Sequence, residues 1–164
     1  MPEALNRDFS SHYQRQFSDI YITMIRTGII EGAGFTGGEL IRLLLNHPDV
    51  HLIFITGRGN SGQYIHEVHR GLYGETDLQF AEEPELDKID LLFLCTDAEE
   101  SRQFMQSHEI PERLKIIDFS REFRLKSEGD EFIYGLPELN RRAICKSRFV
   151  ANPGNFATCI TLGL

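Results

Sequence analysis

The sequence predicts an α/β protein built on a doubly wound parallel sheet. Apolar runs typical of buried strands alternate along the chain with helical patterns. The first strand, helix and second strand complete a β-α-β unit by Thr56, and a glycine-rich turn joins that strand to its helix. The chain has 164 residues, which is the length of one domain with a sizeable core.

The glycine turn follows an apolar strand expected over Met24 to Ile30 and precedes a helix expected over Thr36 to Asn46. Its spacing is G-x-G-x-x-G, in which glycines allow a sharp turn, the approach of a pyrophosphate, and close packing of helix on strand. The helix directs its first N–H groups at the phosphates. We therefore predict a Rossmann-like dinucleotide site made by Gly32, Gly34, Phe35, Thr36 and Gly37. The alternative is a purely structural turn between two core elements.

The second strand, Val50 to Thr56, is apolar at nearly every position, as expected for a strand covered on both faces. Sites that select NAD often have a carboxylate just after this strand, where it binds the ribose 2′-hydroxyl. This chain has Arg58 there and no carboxylate over 56–61. A guanidinium can bind the 2′-phosphate of NADP through a charge-assisted hydrogen bond. We therefore favour NADP, with a solvated loop arginine as the alternative.

The alternation continues to the end of the chain. We expect further strands over Ile89–Cys95, Leu114–Phe119 and Arg148–Ala151, and a helix over Ala98–Ser107. Ligands of open α/β sheets bind at the carboxyl ends of the strands. Ser120 follows one such strand and is therefore a candidate ligand-binding residue. Residues 125–131 are expected to form a charged turn.

Residues 57–80 have little periodicity and contain His66 and His69. Their spacing is not the H-E-x-x-H pattern of a zinc site, so we interpret them as a pair of surface or loop residues and predict no metal.

The composition excludes several classes of protein. The net charge of −8 argues against nucleic acid or an anionic membrane as the main partner. No apolar run is long enough to span a bilayer. Three cysteines, odd in number and far apart, indicate reduced thiols and a cytoplasmic setting. Residues 1–23 lack the apolar core of a signal peptide and are interpreted as an extension without assigned function.

Two segments late in the chain form specific motifs, Tyr134-Gly135-Leu136-Pro137-Glu138-Leu139 and Ala151-Asn152-Pro153-Gly154. With the glycine turn, Gly71–Gly74, Asp118–Ser120 and Phe123–Arg124, they make the chain resemble N-acetyl-gamma-glutamyl-phosphate reductases of arginine biosynthesis. The resemblance runs from about Met24 to Leu164. Aspartate-semialdehyde dehydrogenases share the fold and the chemistry but match these segments less well.

The resemblance implies an NADPH-dependent reduction of an acyl phosphate to an aldehyde. A cysteine thiolate attacks the acyl phosphate, phosphate leaves, and NADPH delivers hydride to the resulting thioester. The resemblance also implies that Asn152 and Pro153 contact the cofactor. It places the cysteine directly after Asn-Pro-Gly at a helix N-terminus, where the helix dipole lowers the thiol pKa.

The residue at that position in this chain is Asn155, whose carboxamide cannot act as the nucleophile. Cys159 follows one helical turn later, displaced by roughly 6 Å along the axis. Because a misplacement of ~1 Å can cost ~100-fold in rate, we do not expect Cys159 to replace the nucleophile. We expect it instead to be a small buried core residue.

Other positions also depart from the resemblance. Glu31 stands where the family has a glycine, and its carboxylate is expected to repel a bound pyrophosphate. Asp97 begins an acidic segment where the family has a His-Gly pair. The family's second domain, which carries a catalytic histidine, has no counterpart in the 164 residues.

We therefore divide the chain into an extension over 1–23, a dinucleotide-binding domain over 24–151, and the start of a truncated catalytic domain over 152–164. The expected function is that of a reductase fragment or degenerate copy, inactive by itself. A non-catalytic NADP-binding or regulatory domain and a relative of aspartate-semialdehyde dehydrogenase are the alternatives. The apolar C-terminal segment, with Ile160 and Leu162, is expected to associate with a partner surface.

Overall fold

The protein is described by a computed structural model that covers residues 24–125 and 131–163. Its centre is a six-stranded sheet in which every neighbouring pair is parallel, in the order β2-β1-β3-β4-β6-β5. The strands are β1 (Ile25–Ile30), β2 (Val50–Ile55), β3 (Leu91–Leu94), β4 (Lys115–Asp118), β5 (Ile133–Tyr134) and β6 (Phe149–Ala151).

Among the described residues, four helices lie in connections between strands, and a fifth follows β6. They are α1 (Phe35–Leu45), α2 (Ile65–Val68), α3 (Ala98–Ser107), α4 (Pro137–Ile144) and α5 (Asn155–Gly163). Two short 3₁₀ turns, Arg70–Leu72 and Leu86–Lys88, lie in the connections. Within the described ranges, no helix is long and apolar enough to cross a membrane.

Strand β1 lies between β2 and β3, so the chain first moves to one side of β1 and then to the other. This reversal is the topological switch point, where open α/β sheets have a crevice for ligands. The loop after β1 and the loop after β3 border that crevice.

Two apolar clusters cover the two faces of the sheet. Neighbouring residues of β1 contribute to different clusters, because successive side chains of a strand point to opposite faces. Ile29 packs with Ile41 of α1, and Ile30 packs with Phe104 of α3. The doubly wound parallel sheet predicted from the sequence is thereby confirmed.

The predicted elements differ from the observed ones in small ways. Strand and helix ends shift by one or two residues, which is the usual uncertainty at fraying ends. Several elements had no prediction, among them the four-residue α2, the two-residue β5, and α4, which has a non-helical residue, Asn140, inside it. The extension over 1–23, and 126–130 of the predicted charged turn, lie outside the described residues.

Candidate cofactor site

The glycine turn connects the end of β1 to the start of α1. A Cβ atom at Gly37 would lie 2.5 Å from the backbone of Gly32, so only glycine allows this approach of helix and turn. At Gly34 the situation is the opposite, because no heavy atom of the described residues lies within 4 Å of the place a Cβ would take. Gly37 therefore allows α1 to pack closely against the turn, while Gly34 leaves open space in front of the turn.

The N-terminus of α1 faces that open space. The first N–H groups of a helix have no intrahelical partner, and within the described chain no side chain caps α1 at Gly34. Phe35 and Thr36 are exposed, and the first turn of α1 carries no acidic residue. Unpaired donors at the positive end of a helix dipole bind anions. This part of the chain fits a pyrophosphate group.

A histidine outside the turn supports it. The His69 ring nitrogen Nε2 lies 2.8 Å from the carbonyl oxygen of Gly32, and because a carbonyl oxygen only accepts, Nε2 carries the proton. Sequence reasoning correctly placed His69 in a connecting segment but missed this role, since its partner lies far away in the sequence.

Glu31 begins the turn in a left-handed conformation, with φ of 58°. Its N–H donates to the hydroxyl of Thr56 at 3.3 Å, and its carboxylate accepts from the N–H of Arg58, also at 3.3 Å. The carboxylate is therefore directed toward the loop after β2. Left-handed backbone favours glycine, so a glutamate here is strained.

Arg58 forms an ion pair with Glu100 of α3, with 2.6 Å between Nη2 and Oε1. The hydrogen bond and charge of Glu100 raise the pKa of Arg58, and the charges of Glu31 and Asp97 act in the same direction. The arginine predicted for the 2′-phosphate is thus surrounded by carboxylates.

A cavity of about 380 Å³ opens beside these residues. Its lining includes Glu31 after β1, Thr56, Arg58 and Ser61 after β2, and Phe104 and His108 at the C-terminal end of α3. Its place, beyond the carboxyl ends of β1 and β2, is that of the adenosine half of a dinucleotide in this type of sheet.

A buried carboxyl organises the loop after β4. Asp118 accepts from the hydroxyl of Ser101 at 2.5 Å and from that of Ser120 at 2.6 Å. Burial raises the pKa of Asp118, and the two hydroxyl donors partly oppose the rise. The Ser120 hydroxyl therefore points inward to Asp118, although Ser120 also lines a cleft of about 680 Å³ with Asp97, which caps α3, and Arg102 of α3.

The segment after β6 is fixed by Arg124. Its Nε donates to the carbonyl of Asn152 at 2.9 Å, and its Nη2 donates to the carbonyl of Phe119 at 2.8 Å. The N–H of Asn152 in turn donates to the Asp118 carbonyl at 2.7 Å. These bonds hold Asn152 and Pro153 next to the loop after β4. Arg124 was part of the sequence motif, but its bracing role became clear only from these contacts.

The structure places Asn155 as the first residue of α5, at a helix N-terminus. Cys159 is exposed, so the expectation that it is a buried core residue is wrong. Every described residue of α5 is exposed or half-buried, and α5 contributes to neither apolar cluster.

The other two thiols occupy different environments. Cys95 follows β3, and burial, aided by the charge of Asp118, raises its pKa to about 12. Cys145 is exposed at the end of α4. A thiol with so high a pKa carries almost no thiolate at neutral pH, so Cys95 cannot serve as a nucleophile there.

Within the part of the chain that the structure describes, no group of three or more His, Cys, Asp or Glu side chains is arranged to hold a metal ion. His66 instead donates from Nδ1 to the carbonyl of Thr76, at 3.1 Å.

A glycine turn at the switch point of a parallel sheet, with an uncapped helix behind it, defines a nucleotide-binding domain of the Rossmann class. The family model described as semialdehyde dehydrogenase, NAD binding domain, matches residues 26–147. The chain belongs to this family, and the cofactor of the family is a nicotinamide dinucleotide.

Among curated proteins, the chain is 63% identical over 141 residues to the N-acetyl-gamma-glutamyl-phosphate reductase of Phocaeicola vulgatus. It is 60% identical over 141 residues to the same enzyme of Bacteroides thetaiotaomicron. Both matches cover 86% of this chain and 44% of the relative, so the chain spans less than half the length of these relatives. The predicted resemblance is confirmed at this level.

Solved structures agree on the fold. Aspartate-semialdehyde dehydrogenase with NADP from Candida albicans superposes with a TM-score of 0.61 at 17% identity, over 82% of this chain and 44% of that one. Aspartate-semialdehyde dehydrogenase II from Vibrio cholerae gives 0.56 at 18% identity, over 80% of this chain and 42% of that one. At such identity the likeness concerns the fold alone.

Proposed function

We propose that this chain is the NADP-binding part of a reductase that converts N-acetyl-glutamyl phosphate to its semialdehyde, and that alone it binds the cofactor without catalysis. The observation that carries the proposal is the open glycine turn, with empty space at Gly34 in front of the uncapped α1. The relatives named N-acetyl-gamma-glutamyl-phosphate reductase support the choice of reaction.

In this proposal, different residues of the chain bind different parts of the cofactor. The pyrophosphate lies against the turn formed by Gly32, Gly34, Phe35, Thr36 and Gly37. Arg58, beside the 380 Å³ cavity, binds the 2′-phosphate, which is the basis for choosing NADP over NAD. Ser120, Asn152 and Pro153, at the carboxyl ends of β4 and β6, lie toward the nicotinamide end. When bound, the cofactor supplies hydride.

The lack of catalysis follows from the residues near the expected nucleophile. Asn155 has no thiol, and Cys159 lies a turn further along α5. The thiol of Cys95 is held protonated by its high pKa. The acyl phosphate or aldehyde substrate thus meets no thiolate at the N-terminus of α5.

Two measurements test the proposal. Titration of the 164-residue chain with NADPH, followed by cofactor fluorescence, should saturate; no saturation at millimolar cofactor would leave only a structural domain. Phosphate-dependent oxidation of the semialdehyde by NADP should not be detectable. Turnover that persists in a Cys159→Ala variant would contradict the proposal that the chain is inactive because it lacks the nucleophilic cysteine.

A non-catalytic regulatory role is the second candidate, and Asn155 favours it, because its substitution for a nucleophile removes chemistry while leaving the cofactor turn intact. Restoring the thiol with Asn155→Cys, in a fusion to the second domain of a relative, separates the two candidates. Recovered turnover supports a reductase fragment, and none, with cofactor still bound, supports a regulatory domain.

Three further features belong to the same proposal. The boundaries at 23 and 151 remain a prediction. A cytoplasmic location is supported by the three cysteines, which lie within the described residues and are free thiols. Association through the apolar C-terminal segment is supported by the exposure of Phe156 (87%) and Ile160 (63%) on α5.

A further inference from the structure

Arg58 and Glu100 come from two different elements and meet beside the cavity of about 380 Å³. Arg58 lies in the loop after β2, and Glu100 lies in the first turn of α3. The Arg58 side chain is 73% exposed and that of Glu100 is 29% exposed, so the carboxylate is the more buried partner of the pair. The ion pair therefore fixes where the guanidinium fork points, which is toward α3.

A second carboxylate contacts the backbone of Arg58. Glu31, at the end of β1, accepts from the backbone N–H of Arg58 at 3.3 Å. Glu31 lines the same cavity as Arg58. Arg58 thus contacts carboxylates from two separate elements, Glu100 of α3 and Glu31 after β1.

A 2′-phosphate brought to this place meets an arginine that is already paired. The phosphate must either displace the Glu100 carboxylate from Arg58, or bind next to an intact ion pair whose net charge is close to zero. The unphosphorylated ribose of NAD needs no such exchange. The two cofactors therefore differ in whether they disturb the bond between Arg58 and Glu100.

We propose that Glu100 competes with the 2′-phosphate of NADP for Arg58, and so sets how strongly this chain prefers NADP to NAD. The inference rests on the dinucleotide site proposed above and assigns a specificity role to a residue of α3. Glu31 contributes to the same restraint through the Arg58 backbone.

Neutralising Glu100 is the direct test. In Glu100→Gln the side chain keeps its length, and the backbone N–H of residue 100 still donates to the capping carboxylate of Asp97, at 2.9 Å in the parent chain. An exposed ion pair is worth little, so NADPH should bind about two- to fivefold more tightly. The dissociation constant for NADH should change by less than about twofold.

A matched variant controls for overall charge. Glu99 has the same charge and is the neighbouring residue of α3, but it lines the 680 Å³ cleft while Arg58 pairs with Glu100. Glu99→Gln should leave the ratio of the NADPH and NADH dissociation constants unchanged. An equal gain in both variants would show that general charge, not competition for Arg58, is responsible, and would overturn the inference.

A double-mutant cycle tests whether Glu100 acts through Arg58. Arg58→Ala should weaken NADPH and spare NADH, and adding Glu100→Gln to it should bring no further gain. A gain that persists without Arg58 would mean that Glu100 repels the phosphate directly, which contradicts competition. Adenosine 2′,5′-bisphosphate and AMP, used as probes, should repeat the difference for the adenosine half alone.

The outcomes distinguish this inference from the proposed function. If the parent chain binds NADPH or NADH but Glu100→Gln does not shift the ratio, the inference is wrong and the cofactor site stands. If neither cofactor saturates the parent chain or any variant, the cofactor site itself is wrong, and the inference fails with it.

Discussion

His69 Nε2 lies 2.8 Å from the carbonyl oxygen of Gly32 and joins the connection after α2 to the first residue of the glycine motif. The bond fixes the backbone at the place where the chain turns from β1 toward α1. A distant connection therefore helps to hold the glycine turn in its observed shape.

Removing this imidazole should loosen the turn. We expect His69→Ala to lower the free energy of unfolding by about 1 kcal/mol, the usual net value of one hydrogen bond. We expect it also to weaken NADPH binding several-fold. Urea denaturation and fluorescence titration measure the two effects. His66→Ala is the control, since His66 donates to Thr76 and away from the turn; it should leave cofactor affinity unchanged.

Two glycines of the motif should respond differently to alanine. Gly34→Ala meets open space and has an ordinary extended backbone, with φ of −75°, so stability should change by less than about 0.5 kcal/mol. Its methyl group would occupy the approach of the pyrophosphate, and cofactor binding should be lost. In Gly37→Ala the methyl group would collide with the backbone of Gly32, and unfolding should occur at lower urea. Undisturbed NADPH binding by Gly34→Ala would refute the placement of the pyrophosphate.

Glu31 stores strain that a glycine would release. Because its φ is 58°, Glu31→Gly should raise the free energy of unfolding by about 0.5–1 kcal/mol. Glu31→Gln retains the left-handed residue while removing the charge, so it should bring no such gain. Chemical denaturation of the parent chain and the two variants measures these free energies of unfolding. Equal stability of Glu31→Gly and Glu31→Gln would show that the charge of Glu31, and not backbone strain, causes the difference.

Asp118 should make stability depend on pH. Its pKa in the folded chain is raised above the ordinary value of 3.8, so the folded state holds the proton more tightly than the unfolded state. The contribution of Asp118 to stability is then fully present below that ordinary value and is lost as pH rises through the folded pKa. Asp118→Asn should remove this decline.

A residue with the opposite shift provides the comparison. The hydrogen bond from Arg26 lowers the pKa of Asp90, so the contribution of Asp90 is lost as pH falls. The free energy of unfolding can be measured by chemical denaturation at a series of acidic pH values and plotted against pH. This plot should become flatter at its high-pH end in Asp118→Asn and at its low-pH end in Asp90→Asn. Identical pH profiles for both variants would contradict these assignments.

The sheet and the glycine turn could be predicted because their signals are local. Buried parallel strands are continuous apolar runs, and the turn needs glycine at fixed spacing. The two-residue β5 has too few positions to show a period, and α4 contains the irregular Asn140. The residues of such short or irregular elements show no periodic pattern of their own, so the elements become visible only in the folded chain.

The contacts of the site depended on residues far apart in the chain. Arg58 was singled out from the sequence as a candidate for the 2′-phosphate, but its ion-pair partner Glu100 belongs to a distant helix and gives no signal in the loop. The same holds for His69 and Gly32. Cys159 was placed in the core because cysteines usually are, whereas α5 leaves it exposed.

The environments of the three thiols make the chain suitable for site-selective labelling. At neutral pH a maleimide should react with the exposed Cys145 and Cys159, while Cys95, with its pKa of about 12, should react only after unfolding. Mass spectrometry would show two adducts on the native chain and three in denaturant. A pair of spin labels at the two surface sites could then report the separation between the end of α4 and the middle of α5 as cofactor is added.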